Sequence, residues 1–285
     1  MEIMPHGPGL SAIALNYDVV LSDIWGVIHN GIAVFPDAAD ALNRFRQKGG
    51  SVILISNASR LSKAICDQLD ALKVPRSVYD RVLTSGDMTR EFCSDRKLTV
   101  FDLGPGNVGE IVNGLDYQLG SIDDSDIAIA SGALDNLSQL EGYRPILKKM
   151  LRRDLLLLCA NPDVVTNLGG KQVPCSGAIA ELYAQIGGKV YLAGKPNTRI
   201  FDRALNLAAE LRAGPVGRDR VVVIGDSMRT DIVGAAASGL HSVFVTSGIH
   251  GIELGSTKPA TLAALKQLFA RHGAEPTVVT RAVFW

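Results

Sequence analysis

The sequence lacks an excess of charge of either sign. Its 285 residues contain 29 Lys and Arg against 29 Asp and Glu, so the formal net charge at pH 7 is zero. Proteins that bind nucleic acid or an anionic membrane through long-range electrostatics usually carry a surplus of basic residues. The balanced charge therefore favours neither kind of partner, and we expect no nucleic acid and no membrane.

Cysteines and long apolar runs are also scarce. The longest strongly apolar runs, such as LLLLCA, are too short to span a bilayer. The opening MEIMPHGPGL has no basic stretch followed by an apolar run, which argues against a signal peptide. The four cysteines are widely spaced and form no CxxC pair, which favours reduced thiols in a cytoplasmic protein: Cys66, Cys93, Cys159 and Cys175.

What the sequence does contain is a regular alternation of short β-like runs with helical patterns. This alternation is typical of an α/β protein in which helices cover both faces of a parallel sheet. The strands are expected in segments 17–23, 51–57, 98–104, 126–132, 155–163, 189–194, 220–226 and 241–248.

The middle third of the chain has strands and helices of its own. This segment, 88–190, is flanked by polar loops, as expected for a domain inserted into a loop of another. We therefore predict one domain from residues 1–87 and 191–285, and a second, inserted α/β domain from residues 88–190.

Polar residues end or follow four of the predicted strands. Buried parallel strands present their carboxyl ends as the edge where ligands bind, so these residues are candidates for one site. Each alone has an ordinary explanation, as a helix cap or a surface charge. The residues are Asp23, Ser56, Asn57, Lys195, Asp226 and Asp231.

Taken together, these residues suit phosphate chemistry. Converging carboxylates would hold Mg²⁺, a hard cation that prefers oxygen ligands and also takes phosphate oxygens. The hydroxyl and backbone amides that start at Ser56 suit a phosphate at a helix start, and Lys195 would neutralise a transferring phosphoryl group. Asp23 would be the nucleophile and form an aspartyl-phosphate that water hydrolyses.

Four segments resemble, in order, the four motifs of the haloacid dehalogenase superfamily of hydrolases: DIWGVIHNG, ISN, LAGKP and VIGDSMRTDI. ANPDVV and GDSMRTDIVGAAASGLHSVFVTSG are similar to segments of its class IIA, the NagD-like sugar and nucleotide phosphatases. The resemblance implies a Rossmann-like, doubly wound core with an inserted C2-type α/β cap. It also implies a Mg²⁺-dependent phosphatase of small phosphorylated metabolites, and a homodimer.

The resemblance gives each motif residue a role. Asp23 would be the nucleophile and a Mg²⁺ ligand, the backbone carbonyl of Trp25 and the carboxylate of Asp226 would also bind the metal, and Asp231 would support the metal shell.

On the phosphate side, the resemblance implies that Ser56 and Lys195 contact the phosphoryl group. Asn57 would sit beside it and help to bind it.

Trp25 departs from the family pattern, which has a second aspartate at this position. That aspartate protonates the leaving oxygen and then deprotonates the attacking water, and an indole does neither. General acid–base help contributes about 10² to 10⁴ in rate. Its loss falls mainly on poor leaving groups such as sugar alkoxides. His29 is the nearest substitute in sequence, although a packing or hydrogen-bonding role is the simpler interpretation.

Two alternatives to the phosphatase follow from Trp25. One is hydrolysis with a different leaving group, as in the dehalogenases and phosphonate-cleaving enzymes of the superfamily. The other is a protein that binds a phosphorylated ligand with little turnover. The presence of every other motif residue favours the phosphatase, because a site without chemistry would not need them all.

Two further segments carry polar or glycine-rich patterns. GPGNVG at 104–109 matches a dinucleotide fingerprint, but Pro105 stiffens the loop and the acids at 123–126 look like a loop ahead of a strand. We therefore expect no dinucleotide. Asp163 follows another predicted strand, and we expect it to cap the next turn rather than to face substrate.

Overall fold

A computed structural model describes residues 9–104, 106, 108–168, 171–255 and 260–285. The backbone divides into two compact units. The first unit contains Met1–Ser56, Ile65–Leu83 and Thr198–Trp285, and the second contains Asn57–Ala64 and Thr84–Asn197.

The strands of the described residues are numbered in chain order. They are β1 (Val19–Ser22), β2 (Ser51–Ser56), β3 (Arg81–Thr84), β4 (Leu98–Asp102), β5 (Tyr117–Leu119), β6 (Ile127–Ala130), β7 (Leu156–Cys159), β8 (Val165–Leu168), β9 (Lys171–Pro174), β10 (Val190–Leu192), β11 (Val221–Gly225), β12 (His241–Val245) and β13 (Val278–Thr280).

The α-helices are numbered in the same way. They are α1 (Leu10–Ile13), α2 (Pro36–Gln47), α3 (Ser62–Ala71), α4 (Ser85–Ser94), α5 (Val108–Val112), α6 (Arg144–Arg152), α7 (Ser176–Gln185), α8 (Thr198–Leu211), α9 (Val233–Ala237) and α10 (Leu262–His272). A π-helical turn, Met228–Ile232, leads into α9. None of the helices in the described residues is long and apolar enough to cross a membrane.

The first unit is built on a six-stranded sheet with strand order β13-β12-β11-β1-β2-β3. The central strand β1 pairs in parallel with both β2 and β11. Both neighbours are rich in Val and Ile, and β1 is buried along its whole length. Continuous apolar runs of this kind suit parallel strands that are covered on both faces. The central strands therefore form a rigid base for the loops that follow them.

The second unit has its own five-stranded parallel sheet, in the order β10-β7-β6-β4-β5. An antiparallel hairpin of β8 and β9 follows β7. The core of this unit joins α6 and α7 to the sheet through side chains that include Leu147, Leu157, Ile179 and Tyr183. The predicted α/β class, with parallel sheets and helices, is confirmed in both units.

All eight strands expected from the sequence are present. The strands that the sequence pattern did not predict are β3, β5, β8, β9 and β13. Several of these are short and lie at a sheet edge or in the hairpin, so they lack the buried apolar run that marks a central strand.

The bounds of the second unit differ from the predicted 88–190. The predicted boundary between residues 190 and 191 falls inside β10. All three residues of β10 pair with β7 in the sheet of the second unit. Helix α4 packs against α5, and the start of α4 therefore belongs to the second unit as well. Segment Asn57–Ala64 also groups with this unit.

We predict that Tyr183→Phe destabilises the protein. The side chain of Tyr183 is fully buried, and its hydroxyl donates a hydrogen bond of 2.7 Å to the carbonyl oxygen of Leu155. Removing the hydroxyl leaves a buried acceptor without this donor, which costs about 1–3 kcal/mol. Urea denaturation of the full chain would measure the loss. The matched control is Tyr117→Phe on the edge strand β5, expected to change stability by less than about 0.5 kcal/mol. Equal stabilities of the two variants would contradict the prediction.

Candidate active site

Three carboxylates meet in the first unit. Asp23 follows β1 and Asp226 follows β11, and these strands run side by side with Ser22 opposite Ile224. The amide of Asp23 extends the pairing by donating to the carbonyl oxygen of Ile224 at 2.7 Å. Asp231 lies in the π-helical turn after β11. One oxygen from each of the three aspartates lies within 4.8 Å of the others.

This cluster fits a hard divalent cation. Asp231 is 1% exposed and Asp226 is 6% exposed, while Asp23 is partly buried. Carboxylates crowded together away from water repel one another unless a cation or protons compensate their charge. An all-oxygen donor set is the type that Mg²⁺ prefers. The geometry therefore brings together the three carboxylates that the sequence predicted as metal-site residues.

Asp226 is held by close backbone contacts. Its Oδ2 atom accepts a hydrogen bond of 2.7 Å from the amide of Ile249. A Cβ atom at Gly26 or at Gly248 would lie 2.0 Å from the same oxygen, and Gly26 has a φ of +80°. Only glycine allows both loops to approach so closely. Sequence reasoning missed these two glycines, although each lies in a short loop that follows a central strand.

Asp231 is fixed by the turn that contains it. Its Oδ2 atom accepts a hydrogen bond of 3.1 Å from the amide of Ser227. The next amide in the turn, that of Met228, donates to Nε2 of His250 at 3.2 Å, and Nδ1 of His250 in turn contacts Glu253. His250 is thus a support for the turn, with a side chain only 11% exposed. Nothing in the local sequence indicated this role.

The loop after Asp23 contains Trp25 and His29, whose rings pack edge to face with centroids 5.1 Å apart. His29 is 2% exposed, and burial lowers its pKa to about 4. Its Nδ1 atom accepts a hydrogen bond of 2.9 Å from the amide of Gly31. A neutral imidazole with an occupied Nδ1 is a poor proton donor at neutral pH. The packing role of His29 is therefore favoured over the role of a substitute acid.

In the second unit, Asn57 and Lys195 are brought together. They are 3% and 2% exposed. The amide of Lys195 donates to Oδ1 of Asn57 at 2.8 Å, and Nδ2 of Asn57 donates to the carbonyl oxygen of Lys195 at 3.1 Å. The Asn57 side chain thus clamps the Lys195 main chain from both sides. Lysine is rarely buried unless its charge is compensated, which is consistent with an anion site.

The remaining hydrogen bonds of Asn57 involve two other residues of the second unit. Nδ2 also donates to Oδ1 of Asp163 at 2.9 Å, and Ser85 donates to Oδ1 of Asn57 at 3.4 Å. An amide side chain has two donor hydrogens and two acceptor lone pairs, so all four positions are used. A phosphate contact of Asn57 is thereby left to its main chain. The contact between Asp163 and Asn57 is one that the sequence did not predict.

Ser56 ends β2 and is the last residue of the first unit before Asn57 begins a segment of the second. The side chain of Ser56 is partly buried. The metal-site carboxylates belong to the first unit, and Asn57 and Lys195 belong to the second.

The glycine-rich segment 104–109 is only partly described, because Pro105 and Asn107 lie outside the described residues. The segment follows β4 and runs into the five-residue α5, which begins at Val108. Of the acids at 123–126, Asp126 accepts a hydrogen bond of 2.7 Å from the amide of Thr99 at the start of β4. Asp126 therefore lies at the opposite end of β4 from the glycines, where it cannot bind the ribose of a dinucleotide held by them.

The chain matches two protein-family models and is similar to several known phosphatases. A model described as haloacid dehalogenase-like hydrolase matches residues 20–118, and a second, HAD-hydrolase-like model matches residues 192–268. The ribonucleotide monophosphatase NagD of Escherichia coli (strain K12) is 24% identical over 239 residues, covering 82% of this chain and 89% of NagD. Glycerol-3-phosphate phosphatase of Gallus gallus is 24% identical over 278 residues, covering 87% and 85% of the two chains.

A solved structure is similar along nearly the whole chain. It is a hydrolase of the haloacid dehalogenase-like family from Brucella suis 1330, with 33% identity, a TM-score of 0.85 and coverage of 98% of this chain and 100% of that one. The resemblance expected from the four motifs is confirmed, and the chain belongs to the haloacid dehalogenase-like family of hydrolases.

Proposed function

We propose that the chain is a Mg²⁺-dependent phosphatase of small phosphorylated metabolites, such as sugar or nucleotide monophosphates. The cluster of Asp23, Asp226 and Asp231 is the observation that carries the proposal. The names of two relatives, a ribonucleotide monophosphatase and a glycerol-3-phosphate phosphatase, support phosphate monoesters as substrates. The four cysteines are free thiols, which supports a location in the cytoplasm. The homodimer stays a prediction.

Asp23 acts as the nucleophile in two steps. A carboxylate oxygen of Asp23 attacks phosphorus, and the ester P–O bond breaks with its electron pair moving to the leaving oxygen. Water then attacks the phosphorus of the aspartyl-phosphate, the bond to Asp23 breaks, and inorganic phosphate leaves. Carboxylates of Asp23 and Asp226 and the carbonyl of Trp25 would hold Mg²⁺, with Asp231 supporting them. When bound, the ion neutralises negative charge on the phosphoryl oxygens.

Ser56 and Lys195 contact the phosphoryl group in this proposal. The Ser56 hydroxyl donates to a phosphoryl oxygen, and the Lys195 ammonium compensates its charge. Asn57 contributes by fixing the main chain of Lys195, and only its own backbone amide is left for the ligand.

Trp25 and His29 determine which leaving groups the site expels. The indole of Trp25 supplies no proton, and His29 is buried and neutral. Alkoxides need protonation as they leave, whereas aryl and acyl phosphates release stabler anions. We therefore expect the enzyme to favour esters with good leaving groups over alkyl phosphates.

Asp23→Asn is expected to abolish Mg²⁺-dependent hydrolysis of para-nitrophenyl phosphate, because the amide is no nucleophile. Chelation of the metal by EDTA should also remove the activity of the unmodified protein. The matched control is Asp40→Asn on α2, whose exposed carboxylate pairs with Arg44 and should be dispensable. The readout is release of nitrophenolate.

The same assay should include acetyl phosphate, glycerol phosphate and a haloacid. Absence of metal-dependent phosphate release from every ester would contradict the phosphatase. Chloride release from the haloacid would instead support the dehalogenase alternative.

Trp25→Asp should raise kcat/KM for an alkyl phosphate by about 10², the lower end of the usual range for general acid–base help. It should change kcat/KM for para-nitrophenyl phosphate much less, because nitrophenolate leaves without a proton. Trp25→Asn is the matched control, since asparagine has the same size as aspartate but no ionisable group. If a folded Trp25→Asp variant gives no more gain than Trp25→Asn, Trp25 does not replace an acid–base aspartate.

The pH profile tests His29 directly. Because the folded-state pKa of His29 is lowered to about 4, the ring is already neutral above about pH 5 and cannot serve as an imidazolium acid near pH 7. We expect His29→Asn, which keeps an acceptor for the Gly31 amide, to leave the shape of the kcat/KM profile between pH 5.5 and 8 unchanged. Disappearance of a limb in this range in the variant would show that His29 does transfer a proton.

A further inference from the structure

Asn57 is the centre of a hydrogen-bonded group in the second unit. Both of its bonds to Lys195 go to main-chain atoms, so the orientation of the Asn57 amide decides where that main chain lies. The contact is tight, because a Cβ atom at Gly194 would lie 2.4 Å from Oδ1 of Asn57 and 1.8 Å from Oγ of Ser85. Any rotation of the Asn57 side chain would therefore disturb the residues next to it.

Asp163 reinforces one of the two orientations of this amide, the one that the main chain of Lys195 also requires. Its carboxylate only accepts hydrogen bonds, so it requires the NH₂ end of Asn57, which lies 2.9 Å from Oδ1. A flipped amide would place oxygen against the carboxylate and NH₂ against the amide hydrogen of Lys195. Both contacts would be repulsive, and the one with Lys195 would be buried. With Asp163 in place, only the observed orientation satisfies every partner.

The loop that presents Asp163 is itself fixed. The carbonyl oxygen of Asn161 accepts hydrogen bonds from Ser176 at 3.4 Å and from the thiol of Cys159 at 3.3 Å. The amide of Gly177 donates to the carbonyl oxygen of Asp163 at 3.1 Å.

No larger residue fits at Gly177 without moving this loop. A Cβ atom there would lie 2.3 Å from the carbonyl oxygen of Pro162 and 2.4 Å from that of Asp163. The first turn of α7 and the end of β7 thus hold Asp163 at a set distance from Asn57.

We propose that Asp163 is a positioning residue, which fixes Asn57 and, through Asn57, the main chain of Lys195 in the orientation that phosphate binding needs. The proposal rests on the proposed function, because it takes Lys195 as the residue that contacts the phosphoryl group. Asp163 makes no contact with substrate in this role. Its effect depends on Asn57 being present.

The test is a double-mutant cycle with Asp163→Ala, Asn57→Ala and the combined variant. Two quantities are measured with Mg²⁺ present: kcat/KM for para-nitrophenyl phosphate, and the dissociation constant of inorganic phosphate by calorimetry. Asp163→Ala leaves the Nδ2 donor of Asn57 without this partner. We expect kcat/KM to fall about tenfold and the dissociation constant of phosphate to rise about tenfold. The combined variant should match Asn57→Ala, because Asp163 has nothing left to position.

Two further variants separate geometry from charge. Asp163→Asn retains an acceptor oxygen for Asn57 and should recover most of the loss. The control Asp154→Asn removes a carboxylate from an exposed ion pair with Lys189 in the same unit and should behave like the unmodified protein. If Asp163→Asn were as impaired as Asp163→Ala, the charge rather than the hydrogen bond would matter, and the proposal would be overturned.

Other outcomes are equally decisive. Phosphate affinity unchanged in Asp163→Ala, or losses that multiply in the combined variant, would contradict the positioning role. Should Asp163→Ala fail to fold, Gly177→Ala displaces the same loop and is expected to weaken phosphate binding, and unchanged affinity in that variant would reject the proposal. An unmodified protein that binds phosphate but hydrolyses no ester would contradict the proposed function alone, since the cycle could still be read from phosphate affinity.

Discussion

The parallel register of β1 against β11 is the constraint on which the carboxylate cluster depends. With Ser22 opposite Ile224, the chain leaves both strands at the same edge of the sheet, so the carboxylates of Asp23 and Asp226 arrive side by side. Three carboxylates whose oxygens lie within 4.8 Å of one another repel strongly when water is excluded. The buried strands hold the carboxylates against that repulsion, and a bound cation would relieve it.

Glycines help to hold the carboxylates in place, because the loops around the cluster approach one another more closely than side chains allow. Gly26 and Gly248 both lie against the Asp226 carboxylate, and Gly225 lies against Asp231, where a Cβ atom would be 2.1 Å from Cγ. The second unit shows the same solution at Gly194 and Gly177. In each place a main chain packs directly on a polar group, which limits the freedom of that group without adding another side chain.

The sequence predicted the parts of the fold and site that depend on local pattern. Central strands such as β1 and β11 are continuous apolar runs, and the polar residues after them mark the edge of the sheet. Edge strands such as β5 lack that signal, and a boundary within β10 could not be placed because pairing with β7 is a tertiary property. The bond between Asn57 and Asp163 joins residues 106 positions apart, and no local pattern reports such a partner.

The loop after Asp23 is held by contacts among its own residues. The amide of Gly26 donates to the carbonyl oxygen of His29, and Gly31 donates to its ring, so the loop is closed by its own backbone. The indole of Trp25, which has no ionisable group, packs edge to face on the ring of His29. The carboxylate cluster and the glycines packed against it are therefore complete with Trp25 in this loop. The carboxylates of Asp226 and Asp231 are held by amides of other loops, those of Ile249 and Ser227, so their positions do not depend on the Trp25 side chain.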